Sequence, residues 1–149
     1  MKRTNASKIY NLVGAEAVLT EAADLRRYLT GISTSFGYVL TDKSGTTFYT
    51  DSRYLEGANN ALNGTDIMVK KFIAPLSDLL KGYKEVAIPV GRTLYDDYNK
   101  LESSGLKIID SLPAFTSAMS VKLDYELEYI KKACEIADAA YLELLGQKK

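Results

Sequence analysis

Histidine is absent from this chain of 149 residues. Without an imidazole, no Ser-His-Asp or Cys-His arrangement and no His-ligated metal site can be assembled from these residues alone. Cysteine occurs once, at Cys134, which excludes an internal disulfide and suits a reducing compartment. That thiol lies in a strongly helical stretch, where the expectation is a small buried side chain rather than a reactive nucleophile. Net charge is missing as well. Nineteen basic residues balance nineteen acidic ones, so no overall field draws in nucleic acid or an anionic membrane. No apolar run approaches the roughly 20 residues of a spanning helix, and the basic start, Met1-Lys-Arg-Thr-Asn-Ala-Ser, has no apolar segment behind it. The expectation is a cytoplasmic protein with no nucleic-acid and no membrane partner. Tryptophan is absent too, and eleven tyrosines supply the aromatic bulk; with no basic groove beside them they are not a base-stacking platform.

What is present patterns as α/β. Glu16-Ala-Val-Leu-Thr20 reads as a buried strand, followed by a helical turn from about Ala22 to Leu29 that Gly31 stops. Phe36–Thr41 and Thr46–Thr50 are rich in aromatic and β-branched residues, and Asp42-Lys-Ser-Gly45 between them supplies turn chemistry, which predicts a β-hairpin. A short helix over Arg53–Asn60, a turn at Asn63-Gly64 and a strand over Ile67–Phe72 follow. Pro75 then opens a helix carrying Leu76, Leu79 and Leu80, and Glu85–Val90 is a strand. Thr93 is the expected N-cap of a helix bearing Leu94, Tyr98 and Leu101, and Leu106–Asp110 is the last strand. The hairpin and the alternating second half together predict a mixed β-sheet flanked by helices.

From Asp124 to Leu145, Leu127, Ile130, Cys134, Ala137, Tyr141 and Leu144 recur at helical spacing, with Asp124, Glu126 and Glu128 near the positive end of the helix dipole. At 1.5 Å per residue this helix is roughly 33 Å long, more than one small sheet needs. We expect its stripe to be left partly uncovered and to drive self-association.

Three segments carry a family resemblance: Asp24-Leu-Arg-Arg-Tyr-Leu-Thr-Gly31, Thr50-Asp-Ser-Arg-Tyr-Leu-Glu-Gly-Ala58 and Ser120-Val-Lys-Leu-Asp-Tyr-Glu-Leu-Glu-Tyr-Ile-Lys-Lys-Ala133. In order and spacing, over about residues 16–142, they resemble the amino-terminal domain of creatinase/prolidase metallopeptidases, the Xaa-Pro aminopeptidases and dipeptidases. The sequence departs from the family at Leu25-Arg26, where Asn-Ile is common, and at Gly57, where Gln is usual. With about 15 residues ahead of the first strand, the family's opening helix should be short or absent. The resemblance implies a ribonuclease-H-like domain over 1–120 and a helix over 121–149 that would lead into a "pita-bread" catalytic domain absent from this chain. It also implies two divalent metals, manganese or similar, in that missing domain and none here. Peptide would be a substrate only of the full-length enzyme, a homo-oligomer that could assemble through the helix 124–145. This chain by itself is expected to be inactive.

The same resemblance marks Arg53, Tyr54 and Tyr28 as candidate substrate-access or interface residues. Each also has a simpler reading, which we favour: Asp51 caps the following helix, Arg53 pairs with an acid, and Tyr54 and Tyr28 are core aromatics. Arg26 and Arg27 read as solvated surface charges. Two rival functions remain. One is a free-standing binding or assembly module of the same fold. The other, weaker, is a carboxylate-metal nuclease built on Asp42, Asp51, Asp96, Asp97 and Asp110, which would require at least three of them to converge.

Overall fold

The computed structural model describes residues 5–146. The chain divides into two compact units, Met1–Ala118 and Met119–Lys149. The first holds a six-stranded sheet made of β1 (Ala17–Thr20), β2 (Tyr38–Asp42), β3 (Gly45–Thr50), β4 (Ile67–Lys71), β5 (Glu85–Ile88) and β6 (Lys107–Asp110). In space they run β4-β3-β2-β1-β5-β6. β2 is antiparallel to both neighbours, and the β3/β4, β1/β5 and β5/β6 pairs are parallel. The sheet is therefore mixed. The carboxyl ends of five strands and the amino end of β2 share one edge, where connecting segments can place polar groups side by side.

The helices are α1 (Ala6–Val13), α2 (Ala23–Thr30), α3 (Leu55–Leu62), α4 (Leu76–Leu79), α5 (Tyr95–Ser103) and α6 (Leu112–Ser120). Alternation along each strand divides the core. On one face Ala17, Leu19, Tyr38, Leu40, Val86 and Ile88 pack with Leu76 and Leu80 around α4 and with Leu101 of α5. The opposite parity, including Val18, Val39, Phe48 and Ala87, is also buried, and α1 touches β1, β2 and β3 while α3 lies on β4. Cover on both faces explains why β1, Ala-Val-Leu-Thr, is buried at every position.

Most elements fall where the sequence places them. Gly31 ends α2 in the left-handed conformation at φ 76°, and the Asp42–Gly45 pair closes the hairpin. The opening helix is present and short, at eight residues.

Four expectations are corrected. Thr93 is not the N-cap of α5: its hydroxyl bonds to the Pro89 carbonyl at 3.0 Å, and the helix begins after Leu94, whose amide is taken by Glu21. α3 starts at Leu55 with Tyr54 as N-cap and no side-chain cap, because Asp51 folds back on Arg53 instead. Pro89 ends β5 early, and Val90–Arg92 form a single 3-10 turn. Over 112–120, where the sequence suggests no element, α6 forms, with Asp110 Oδ1 accepting the Leu112 amide at 2.9 Å and with Phe115 and Ala118 buried.

The second unit contains α7 (Asp124–Gly146), of which no residue is buried. Glu126 reaches back to the Leu123 amide at 2.8 Å, half of a capping box. Cys134 is exposed, contrary to the buried thiol expected, because a helix without a buried face has nowhere to hide it.

Candidate functional site

Two groups of side chains occupy the shared strand edge. The first follows β3. Asp51 Oδ1 accepts the Arg53 amide at 2.9 Å in a tight Asx turn, and its carboxylate takes the guanidinium through Nε at 3.1 Å and Nη2 at 2.7 Å. The guanidinium carbon lies 5.3 Å from the centre of the Tyr54 ring, within cation-π range. The Tyr54 hydroxyl meets Ser35 Oγ at 2.9 Å. The Arg53 bond holds the Asp51 carboxyl below its usual range, and the carboxylate raises Arg53 further. Arg53 is nevertheless 66% exposed. The result is a cation fixed in direction by one carboxylate and one ring, with its outer edge in solvent. It can receive a carboxylate or carbonyl oxygen at low ordering cost.

Arg53 thus pairs with an acid as expected, whereas Tyr54 is half-buried and hydroxyl-bonded to an exposed serine rather than fully in the core. Tyr28 is half-buried in α2, with its carbonyl taken by Asn5 Nδ2 at 3.3 Å.

The second group follows β1. Glu21 Oε1 accepts the Leu94 amide at 2.8 Å, and Asp97 lines the same small cavity as Glu21. Asp97 in turn receives the Tyr38 hydroxyl at 3.0 Å and the Lys100 ammonium at 3.0 Å. Behind them Arg26 is 5% exposed, so the solvated reading of this residue is overturned. Its guanidinium donates to three backbone carbonyls, those of Glu21, Gly37 (3.1 Å) and Thr34 (2.6 Å). Burial lowers its pKa and the neighbouring Glu21 charge opposes that. Arg26 therefore pins α2 to the segment entering β2.

Local sequence gives no hint of this cluster, since Glu21 and Leu94 are 73 residues apart. Asp97 stands out only as an acid and Arg26 only as half of a pair of arginines.

The sequence profile that matches this chain is that of the creatinase/prolidase N-terminal domain, over residues 3–118. The chain belongs to that family. Its relatives include the uncharacterized peptidase YqhT of Bacillus subtilis, 22% identical over 97% of this chain and 43% of that protein. The fold is shared with the Xaa-Pro dipeptidase from Bacillus anthracis (TM-score 0.80, 23% identity, 95% of this chain, 42% of that one). It is shared also with the prolidase from Pyrococcus horikoshii (TM-score 0.81, 24% identity, 97% of this chain, 43% of that one). The chain spans less than half the length of each of these relatives.

Among the described residues no group of three or more His, Cys, Asp or Glu side chains is arranged to hold an ion. Four of the five aspartates of the nuclease reading are engaged with separate partners, and the fifth is exposed. Asp42 binds Ser44 and Tyr83, Asp51 binds Arg53, Asp97 binds Tyr38 and Lys100, Asp110 accepts the Val90 and Leu112 amides, and Asp96 is exposed. Among the described residues no helix is long and apolar enough to cross a membrane.

Proposed function

We propose that this chain is the non-catalytic amino-terminal domain of a metal-dependent, cytoplasmic Xaa-Pro peptidase, and that it borders the path by which peptides reach the catalytic centre. The observation that carries the reading is the Asp51-Arg53-Tyr54 group. It sits in a segment that resembles the family motif, lies on the strand edge, and presents a pre-oriented guanidinium to solvent. A peptide carbonyl or terminal carboxylate is the chemistry it suits. The metals and the bond-breaking groups would be supplied by the catalytic domain.

In the peptidase containing this domain, Arg53→Ala combined with Tyr54→Phe is expected to lower kcat/KM on longer peptides by ~3-fold or more, with metal content unchanged. Steady-state kinetics on a ladder of peptide lengths reads this. Equal values at every length would return both residues to a structural role.

Self-association belongs to the same reading. Leu127, Ile130, Tyr141 and Leu144 on α7 are each at least 43% exposed, flanked by charges such as the Lys132–Glu135 pair, as in an interhelical seam. Light scattering is expected to give a dimer for residues 1–149 and a soluble monomer for a chain ending at Ser120, where α6 stops. A monomer in both cases would count against the seam.

A further inference from the structure

β4 is the last strand on its side of the sheet and pairs with β3 alone. The Phe72 amide donates to the Thr50 carbonyl at 2.7 Å. Peptide groups alternate sides along a strand, so Met68 and Lys70 turn theirs toward β3 as well, whereas Ile67, Val69 and Lys71 turn theirs outward. The Ile67 amide is taken locally by the Thr65 hydroxyl at 3.2 Å. Val69 and Lys71 remain as the open rungs, a template for one further strand.

A groove of about 370 Å³ adjoins this strand, lined by Asn59, Leu62 and Asn63 at the end of α3 and by residues 67–70 of β4. Its volume is within the range of ligand sites. Val69 is the register partner of Phe48 and shares its face of the sheet with Lys71, while Met68, 50% exposed, and Lys70 take the other face. An added strand would therefore meet one apolar residue and one cation on each face.

The charge of the edge decides which strand it takes. Lys70 and Lys71 are exposed, and among the described residues neither ammonium is paired with an acid. Edge lysines keep like strands apart. An acidic strand neutralises them instead, so the same two residues reject one class of partner and attract another. Topology sets the direction. β4 ends at the strand edge that carries Asp51, Arg53 and Tyr54, since Thr50 and Lys71 are register partners. A strand antiparallel to β4 enters at that edge and runs away from it.

We propose that the free edge of β4 binds the downstream tail of longer peptide substrates as an added antiparallel strand, with acidic residues facing Lys70 and Lys71 and apolar ones beside Met68 and Val69. Main-chain bonds at Val69 and Lys71 supply the affinity, and the two lysines supply the selection. The substrate as occupant rests on the reading that peptides pass the Arg53 group; the affinity of the edge for an acidic strand does not.

NMR titration of the 149-residue chain with a capped peptide containing Glu-Glu-Val-Leu-Val is expected to shift the amides of residues 63–72 and to slow hydrogen exchange at Val69 and Lys71. The Lys-Lys-Val-Leu-Val analogue should bind about 5-fold or more weakly, and Lys70→Glu with Lys71→Glu should reverse that preference. Val69→Pro removes an outward amide, at an edge position where proline is tolerated, and should abolish binding. Shifts centred away from β4, equal affinity for the two peptides, a preference that does not reverse, or binding retained in V69P overturns the site. Protection of Val69 and Lys71 that grows with protein concentration in the absence of peptide overturns it too, because a second copy then fills the edge. Should V69P fail to fold, the charge reversal decides. In the peptidase containing this domain, the charge-reversed variant should lower kcat/KM for long peptides with acidic tails by ~3-fold or more relative to those with neutral tails. An unchanged ratio, with binding to the 149-residue chain intact, overturns the substrate as occupant and leaves the Arg53 reading to its own test.

Discussion

Replacing Arg26 with methionine is expected to cost about 3–5 kcal/mol of stability, although no acidic side chain in the structure forms a salt bridge with it among the described residues. The reason is the backbone. The guanidinium satisfies the carbonyls of Glu21, Thr34 and Gly37, and methionine fills much the same volume while satisfying none of them. An unsatisfied buried carbonyl costs roughly 1–3 kcal/mol, and bonds to a charged donor are the stronger kind; because the Glu21 and Thr34 carbonyls are only part-buried, the total stays below a simple sum. Urea unfolding with an unchanged m-value would measure the effect through a lower midpoint. A loss below about 1 kcal/mol would mean that Arg26 is no more than the surface charge its sequence context suggests.

The second large effect is expected at Gly37. Its φ is 151°, and a Cβ added there would stand 2.6 Å from Phe48 Cε2 and 2.7 Å from the Tyr49 carbonyl oxygen. Neither neighbour can yield easily, since Phe48 is 1% exposed and Tyr49 is held in the β2/β3 ladder. Gly37→Ala should therefore cost about 2–4 kcal/mol, combining backbone strain with overpacking. Gly31→Ala is the control: φ is 76° and nothing lies within 4 Å of the added carbon, so only the left-handed backbone penalty of about 1 kcal/mol applies. Thermal unfolding of both variants would show it. Equal losses at the two positions would refute the clash at Gly37.

Local chemistry made much of the fold legible in the sequence. The hairpin follows from Asp42-Lys-Ser-Gly45 between two β-branched and aromatic runs, and the end of α2 follows from Gly31. Both signals act over a few residues. The misreadings concern interactions that arrive from elsewhere in the chain. Thr93 has the composition of an N-cap, but Glu21 reaches across to take the Leu94 amide. α6 carries proline, serine and threonine in Leu-Pro-Ala-Phe-Thr-Ser-Ala-Met-Ser, and over nine residues the Leu112, Phe115 and Met119 stripe is too short to stand out. Arg26 and Arg27 are indistinguishable in a window of sequence, and only the three-carbonyl pocket separates the buried one from the exposed one. For the candidate site, the Arg53–Asp51 pair was readable because its members are two residues apart. The juxtaposition of Glu21 and Asp97 was not, because the sheet alone brings them together.

The strand order also has a consequence for the chain as it leaves the ribosome. β4, β3, β2 and β1 are all contained in the first 71 residues, and each pairs with a strand adjacent to it in sequence. This half of the sheet can assemble while the remainder is still being synthesised. Its inner strand is then bare along one side. β1 gains its second partner only when Glu85–Ile88 emerges, and Glu16 helps fasten the two by accepting an amide 69 residues away. Until then a wholly apolar-and-threonine strand, Ala-Val-Leu-Thr, presents unpaired backbone to other nascent chains. Any pause in translation between Lys71 and Ile88 lengthens the time for which that edge is open to mispairing.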